Sequence, residues 1–155
     1  MTTDNPEVDP GRLLAQAPDA TIFADREGVI RAWNAAAERV FGHSEADAVG
    51  QRLDLIVPER FREAHWAGWE RALEAGETKY VGQSVPTRAE RSDGTPITVE
   101  LSFAIVLDEA GASVGALATA RDISERWDRD RATRNQLKEL EAELETLRGT
   151  ADSAT

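Results

Sequence analysis

Residues 97–105 alternate apolar and polar side chains, and this pattern constrains the fold of the chain more than any other feature. The apolar positions are Ile97, Val99, Leu101, Phe103 and Ile105, and the intervening positions are Thr98, Glu100, Ser102 and Ala104. Because successive side chains of a strand point to opposite faces, the segment is predicted to be a strand with one buried face. Such a strand needs neighbouring strands and a second layer that covers its apolar face.

Turn chemistry places further strands around this one. The turn segments are Asp25-Arg26-Glu27-Gly28, Ser92-Asp93-Gly94 and Asp108-Glu109-Ala110-Gly111. Each contains the Asp and Gly residues that favour tight hairpin connections. The remaining elements are predicted as strands over 20–25, 29–33, 83–90 and 113–121, and as helices over 35–41, 44–50 and 59–74. Their order predicts an α+β domain in which helices cover one face of an antiparallel sheet.

Composition narrows the functional classes. The chain has 155 residues, enough for one compact domain and an additional helix. Its 18 basic and 29 acidic side chains give a net charge of −11, which disfavours nucleic-acid and anionic-membrane partners. The lack of cysteine excludes disulfides, thiolate metal sites, iron–sulfur clusters and cysteinyl flavin adducts. With an acidic start and no long apolar run, the protein is expected to be cytoplasmic.

The C-terminal part of the chain is predicted to form one long helix. No glycine lies between Gly115 and Gly149 and no proline follows Pro96, so a helix can continue over 123–148. An a/d seam is formed by leucines on a 3-4-3 spacing: Leu137, Leu140, Leu144 and Leu147. A solvated single helix stabilised by charge pairs is the alternative. Because an apolar seam needs a partner surface, we expect a coiled-coil homodimer through 123–148.

The polar segments at both ends are predicted to be tails. Residues 1–10 contain a single aliphatic side chain and two prolines, and residues 149–155 are small and polar after a glycine that favours a helix end. The predicted organisation is a loosely ordered tail over 1–10, a folded domain over 11–122, a coiled-coil helix over 123–148 and a flexible tail over 149–155. Such an end is expected of a complete gene product.

Several stretches, taken in order, resemble a PAS sensory domain. They are Asp25-Arg26-Glu27-Gly28-Val29-Ile30, Trp33-Asn34-Ala35-Ala36-Ala37-Glu38, Phe41-Gly42-His43-Ser44, Gly50, Arg91-Ser92-Asp93-Gly94-Thr95-Pro96 and Arg121-Asp122-Ile123-Ser124-Glu125. The resemblance covers residues 11–122 and implies a five-stranded antiparallel sheet with helices on one face. Between helices and sheet it implies either a ligand pocket or a packed core. It also implies a sensing or interaction module and not an enzyme.

One histidine lies on an otherwise apolar helix face. Phe61, His65, Trp69 and Leu73 are spaced four residues apart, which places them on one slowly rotating face. A neutral imidazole is a good ligand for haem iron, although a lone histidine in such a place is more commonly a core residue. The last strand offers small side chains that leave room for a flat ligand: Gly115, Ala116, Ala118 and Ala120.

The same helix resembles that of the haem-binding PAS domains of oxygen-sensing kinases. The matching residues are Arg62-Glu63-Ala64-His65 through Arg71, Gly76-Glu77, Val81-Gly82 and the stretch 88–94. The resemblance implies haem b, with His65 as the proximal iron ligand and Arg71 at a haem propionate. The other residues expected to bind the cofactor are Phe61, Trp69, Val85, Leu101, Phe103 and Ala118.

Val85 stands where that family has an arginine that hydrogen-bonds bound oxygen. Gln83 could supply a donor only if the strand register differed. Without a donor, bound dioxygen loses its main polar stabilisation. Carbon monoxide, nitric oxide or redox sensing is therefore as well supported as oxygen sensing.

Two other functions remain open at this point. A cofactor-free dimerisation or protein-interaction module would fill the pocket with side chains such as Phe23, Phe41, Trp69 and Phe103. A receptor for a flavin or another small ligand would use tryptophan rings for stacking, and of these Trp66 is predicted to lie at the helix edge. In each case we expect the signal to leave the domain at residues 121–123, where the last strand passes into the coil. We expect the coil to act on a separate signalling protein.

Overall fold

A computed structural model describes residues 7–154, in which one sheet and several helices follow each other in the predicted order. The helices are α1 Pro10–Ala15, α2 Ala35–Phe41, α3 Glu45–Ala48, α4 Arg62–Ala75 and α5 Ser124–Asp152. The strands are β1 Ala20–Asp25, β2 Ile30–Trp33, β3 Val85–Glu90, β4 Pro96–Leu107 and β5 Ser113–Asp122. Two short 3₁₀ turns, Leu53–Leu55 and Glu59–Phe61, precede α4.

The strands form one five-stranded sheet in the order β2-β1-β5-β4-β3, and every neighbouring pair is antiparallel. The sequence prediction of an α+β fold with a five-stranded antiparallel sheet is confirmed. Ala120 of β5 lies opposite both Ala20 of β1 and Leu101 of β4, so these three side chains share a face. Ile97 and Val99 on that face are each 2% exposed, but Thr98 on the opposite face is also only 3% exposed. The prediction that β4 has a single buried face is therefore wrong at its start, where both faces are covered, although the apolar side chains do lie on one side of the sheet.

The apolar face of the sheet packs against α2, α3 and the turn before α4. Trp33, Phe41 and Leu53 belong to the same buried cluster as Ile97 and Val99. Asn34 starts α2 because its side chain accepts a hydrogen bond from the Ala37 backbone N–H, and Gly42 ends it in the left-handed conformation at φ 78°. The covered face is therefore the face that the sequence pattern indicates.

The chain divides into two compact units between Asp122 and Ile123, and α5 belongs to the second. The predicted helix end at Gly149 is wrong, because α5 continues to Asp152. A glycine within a helix costs only about 1 kcal/mol relative to alanine, and the Thr150 and Ser153 hydroxyls donate to the carbonyls of Leu147 and Gly149. The flexible tail predicted over 149–155 is thus largely helical, with residue 155 outside the described residues.

The tail predicted over 1–10 also needs a correction at its end. Pro10 is the first residue of α1, where its fixed φ suits the first helical position. The Asp9 side chain caps this helix by accepting a hydrogen bond from the Gly11 backbone N–H at 3.1 Å. Residues 1–6 lie outside the described residues. Over the described part of the chain, 7–154, none of the helices combines the length and the apolar character needed to cross a membrane.

The β1–β2 turn is organised by Asp25. Its carboxylate accepts hydrogen bonds from the backbone N–H groups of Glu27 at 3.1 Å and Val29 at 3.0 Å, and from the Arg31 guanidinium at 2.6 Å. Burial by itself raises the pKa of Asp25, but these hydrogen bonds and the Arg31 charge outweigh it and hold the pKa below its usual value. The ionised carboxylate therefore stabilises the turn.

Replacing Asp25 with alanine is expected to lower the free energy of unfolding by about 1–2 kcal/mol at neutral pH, because two backbone donors lose their acceptor. A depressed folded pKa gives stabilisation that is present above the unfolded pKa and lost as the pH falls through the folded pKa. The difference between Asp25→Ala and the unchanged chain should thus shrink below about pH 4 in urea unfolding. Glu27→Ala, in the same turn, is the control and should change little at either pH.

Candidate functional site

Helix α4 presents its aromatic side chains to the first strand hairpin. The Trp66 indole N–H donates to Asp54 Oδ1 at 2.9 Å, and the Trp69 indole N–H donates to the Arg26 carbonyl at 3.1 Å. A Cβ at Gly28 would lie 2.2 Å from the Trp66 ring, so only a glycine allows this approach. Trp66 packs against the buried core cluster. Its predicted place at the helix edge is therefore wrong: the core-facing side of α4 is centred between Trp66 and Leu73.

His65 lies beside these tryptophans and is half-buried. Its ring centroid is 4.7 Å from that of Trp66 and 6.1 Å from that of Trp69. His65 Nδ1 is buried and has no hydrogen-bond partner among the described residues. Such an orphaned polar atom is rare inside a protein, where buried groups normally find a partner. The imidazole is therefore held in place by ring packing and leaves a nitrogen without a partner.

The electrostatic surroundings of His65 favour its neutral form. Burial lowers its pKa, and the nearby Arg52 charge lowers it further, while the Asp54 carboxylate raises it by a smaller effect than burial. A neutral imidazole is the form that ligates a metal. Among residues 7–154 no three His, Cys, Asp or Glu side chains cluster as a metal site, so any iron at His65 would need its other ligands from a cofactor.

Phe61 lies outside the α-helical face that carries His65, and its role as a cofactor-binding residue stays a prediction. It is 39% exposed, and the Arg60 guanidinium lies 4.6 Å from the centre of its ring. Phe61 is the last residue of a 3₁₀ turn and lies before the first residue of α4, Arg62. Because a 3₁₀ turn has a different period from an α-helix, the four-residue spacing no longer places Phe61 above His65.

The predicted residues on the sheet do lie together. Val85 of β3 pairs with Leu101 of β4, and Phe103 of β4 pairs with Ala118 of β5, so all four share the apolar face. Each of them is half-buried, although Ile97 and Val99 on the same face are each 2% exposed. This part of the face is therefore less completely covered by protein. The Tyr80 ring, at 6.1 Å from that of Phe103, contributes to its cover.

The register of β3 decides which polar groups reach this face. Val85 opens the strand on the apolar side, whereas Gln83 lies before the strand and is exposed. Arg88 is on the opposite side and donates to Thr98 Oγ1 at 2.9 Å. Thr87, which the sequence reasoning missed, pairs with Val99 and is the hydroxyl that β3 places on the apolar face. Period-two alternation counted from Val85 could have found it.

Arg71 lies six residues after His65 and is exposed. It makes no ion pair with any described side chain, so its guanidinium is available to a carboxylate. The C-terminal end of α4 is attached to the sheet, because the Ser113 hydroxyl donates to the Leu73 carbonyl at 2.7 Å. Gly76 then ends the helix at φ 71°.

Two surface clefts border this region. One of about 290 Å³ is lined by Arg26, Glu27, Arg52, Trp66, Trp69, Glu70, Leu73 and Glu74. Another of about 690 Å³ is lined by Pro58, Glu59, Arg60, Arg88, Ala89, Glu90, Gly94 and Pro96. Neither cleft includes His65 or the four half-buried sheet residues.

The whole sheet-and-helix unit matches a known family. A family profile described as the PAS fold matches residues 14–128, well over half of the chain. The chain belongs to the PAS family. The resemblance drawn from the sequence motifs is confirmed, and the chain is a PAS signal-sensing module. PAS domains are sensory modules and generally not catalytic, so no reaction is assigned to this unit.

Two curated PAS relatives are sensors. The chain is 31% identical over 132 residues to the sensor protein FixL of Bradyrhizobium diazoefficiens, an alignment that covers 85% of this chain and 25% of the relative. It is 27% identical over 111 residues to the oxygen sensor protein DosP of Escherichia coli, covering 72% of this chain and 14% of the relative. The matched segment thus spans a quarter or less of the length of these relatives. The activities of the full-length relatives therefore cannot be assigned to this chain from the match.

Solved structures agree on the fold. A PAS domain from Colwellia psychrerythraea superposes with a TM-score of 0.64 at 25% identity and covers 74% of this chain and 93% of the other. An RNA-binding light-oxygen-voltage receptor superposes with a TM-score of 0.68 at 21% identity and covers 82% of this chain and 36% of the other. At 21% identity, the likeness to the light-oxygen-voltage receptor shows a shared fold and nothing more.

Proposed function

We propose that this PAS module binds haem b through His65 and senses a diatomic gas or a redox state. The observation that carries the proposal is the His65 imidazole, which is half-buried and has a buried nitrogen that lacks a hydrogen-bond partner, and whose pKa is lowered by burial. A buried imidazole nitrogen without a partner is available to a ligand. His43 Nε2 is also buried without a partner, but His43 lies in the loop between α2 and α3 and not on α4. The likeness to an oxygen sensor and to a sensor protein supports the same assignment.

The residues proposed to contact the haem suit a flat apolar group with acidic edges. Val85, Leu101, Phe103 and Ala118 offer an incompletely covered apolar wall on the sheet, and Trp69 flanks the imidazole. Arg71 would contact a propionate, since it has no acidic partner among residues 7–154. When bound, haem would supply an iron that can take up a diatomic gas or change its redox state reversibly.

The polar groups that β3 places on the apolar face of the sheet determine how strongly a bound gas could be stabilised by hydrogen bonds. Val85 presents no donor, and Arg88 is directed to the opposite face of the sheet. Thr87 is the hydroxyl of β3 on this face, and it already donates to the Val85 carbonyl at 3.3 Å. A wall with so little polarity gives dioxygen little polar stabilisation. We therefore extend the proposal equally to carbon monoxide, nitric oxide and redox sensing.

Titration of the apoprotein with ferric haem b tests the proposal, with FMN titrated in parallel. We expect a saturable one-to-one complex with haem, a sharpened Soret band and a spectral shift on reduction and exposure to carbon monoxide. FMN should keep the fluorescence of the free flavin. A protein that leaves the haem spectrum unchanged contradicts the proposal, and one that quenches FMN instead is a flavin receptor.

A cofactor-free interaction module is the second candidate. It is favoured by the packing of Trp66 and Trp69 around His65 and by the fact that neither described cleft includes His65. In that case neither haem nor FMN binds, and the half-buried sheet face is closed by side chains such as Phe103 and Tyr80. The same titration therefore separates the two candidates.

The output of the module is proposed to be a homodimer through α5 that acts on a separate signalling protein. The seam leucines of α5 remain about half exposed in the single chain, with Leu137 at 54% and Leu140 at 50%. Within the first unit, the Arg91 guanidinium is hydrogen-bonded to the Asp122 carboxylate at the end of β5. This ion pair connects the β3–β4 turn to Asp122, the last residue of β5. A movement of β3 would therefore displace Asp122, which directly precedes the helical coil in the chain.

A further inference from the structure

The charge pattern of α5 specifies how two copies of the helix pair. We propose that α5 pairs in parallel with α5 of a second copy over residues 137–148, and that the two helices separate over residues 126–134. The inference rests on the dimer in the proposed function and adds its orientation and extent. It starts from the seam leucines, which are 50–65% exposed: Leu137, Leu140, Leu144 and Leu147.

The flanking charges favour a parallel pair. With Leu137 and Leu144 at a, and Leu140 and Leu147 at d, Glu143 occupies a g position and Arg148 the following e position. In a parallel coiled coil, g of one helix faces the next e of the other, so Glu143 meets Arg148 of the second copy twice per dimer. Neither side chain makes an ion pair within the described chain, residues 7–154. Both are therefore available across the interface.

An antiparallel pair in the same seam would be repelled. In that orientation e faces e and g faces g, which places Glu143 against Glu143 and Arg134 against Arg148 of the second copy. Glu141 would likewise meet Glu141. Like charges at these positions select against a pairing, so the charge pattern favours the parallel dimer and opposes the antiparallel one.

The same heptad register explains why the two helices are in contact only over the leucine-containing residues 137–148. Extended towards the start of α5, it places Asp130 at a, with Arg126 and Thr133 at the neighbouring d positions. In a parallel pair Arg129 at g would also meet Arg134 at e. An acidic side chain in the seam and a basic pair beside it oppose contact between the helices. The first part of α5 therefore lies apart in the dimer, directly after β5 in the chain.

Charge reversal tests the orientation by sedimentation equilibrium of the full chain. Glu143→Arg and Arg148→Glu should each weaken dimerisation roughly threefold to tenfold, and the double variant should restore it. In an antiparallel dimer Arg148→Glu would instead strengthen association, since it relieves the contact with Arg134. That result overturns the proposal, as does a chain that remains monomeric at every concentration tested. Because the haem spectrum is measured separately, a monomer that binds haem would leave the haem assignment standing.

Cysteine cross-linking gives an independent measurement, since the natural chain has no cysteine. Ala151→Cys occupies the a position after Leu147 and should form a disulfide between two copies in a parallel pair. In an antiparallel pair, residue 151 of one copy would be about 27 Å along the axis from residue 151 of the other, beyond the reach of a disulfide. In that antiparallel pair, Ala151→Cys would instead cross-link to Thr133→Cys when the two variants are mixed. Recovery of the mixed disulfide in place of the 151–151 product contradicts the parallel assignment.

The extent of the pair is tested at Asp130. Asp130→Leu adds an apolar layer to the seam and should tighten the dimer about tenfold or more. Asp128→Leu makes the same change of side chain at an outward-facing position where the carboxylate is exposed, and it should have little effect. Equal affinities for Asp130→Leu and the unchanged chain would show that the helices are not held apart by Asp130.

Discussion

Replacing His65 with alanine is expected to weaken haem binding about 100-fold or more and to change the spectrum of any haem that remains bound. The reason is that His65 supplies the proposed protein ligand to iron, and loss even of supporting groups around a metal ligand costs 10–100-fold. His65→Phe keeps a ring against Trp66 and Trp69 without a ligating nitrogen, so it should lose haem as well while it remains folded.

His43→Ala is the matched control, because the chain has only two histidines. His43 lies in the loop between α2 and α3, where its backbone carbonyl accepts a hydrogen bond from the Trp33 indole. We expect this variant to bind haem as the unchanged protein does. Haem affinity that survives in both His65 variants, or that is lost in His43→Ala, would show that His65 is not the ligand. Haem titration, with circular dichroism to check folding, distinguishes these results.

Asn34→Ala is expected to have the largest effect on stability, a loss of about 3–5 kcal/mol in the free energy of unfolding. Asn34 is 6% exposed, and its Oδ1 accepts hydrogen bonds from the backbone N–H groups of Thr21 and Ala37, each at 2.9 Å. Its amide nitrogen donates to three carbonyls before β1: Leu14, Ala17 and Asp19. Removing the side chain leaves buried backbone donors without an acceptor.

Ser44→Ala is the comparison for Asn34, because Ser44 also caps a helix but is exposed. It should cost about 1 kcal/mol, typical of a cap that water can replace. Urea unfolding of the two variants measures the difference. A loss for Asn34→Ala that is no larger than for Ser44→Ala would mean that the hydrogen bonds of Asn34 do not hold β1 to α2.

The sheet could be predicted from sequence largely because its signals are local. Alternation over 97–105 and the Asp-Gly turns specify strands and hairpins without reference to distant residues. The alanine-rich segment after Asn34 was similarly predictable from its cap and from Gly42. The helix end predicted at Gly149 is wrong because a glycine is a weak stop signal: it costs the helix only about 1 kcal/mol, and the Thr150 and Ser153 hydroxyls stabilise the continued turn.

The candidate site was less predictable, because its geometry depends on contacts between segments distant in sequence. The spacing of Phe61, His65 and Trp69 indicated a common face, but the 3₁₀ turn removes Phe61 from it. The sequence predicts Trp66 at the helix edge, whereas Gly28 provides the space that receives its ring. No property of the α4 sequence alone reveals that space.

The sequence by itself determined the order of elements, the alternation that places the apolar side chains of β4 on one face, the cap at Asn34 and the spacing of the leucines of α5. These follow from periodicity and local hydrogen bonding, which act between residues a few positions apart. Only the tertiary structure decided that Trp66 and Trp69 lie beside the imidazole of His65, that its Nδ1 lacks a partner, and that Val85 and Thr87 face the apolar side of the sheet. The reason is physical: burial and strand register are set by which distant segments pack together, and a single helix or strand does not contain that information.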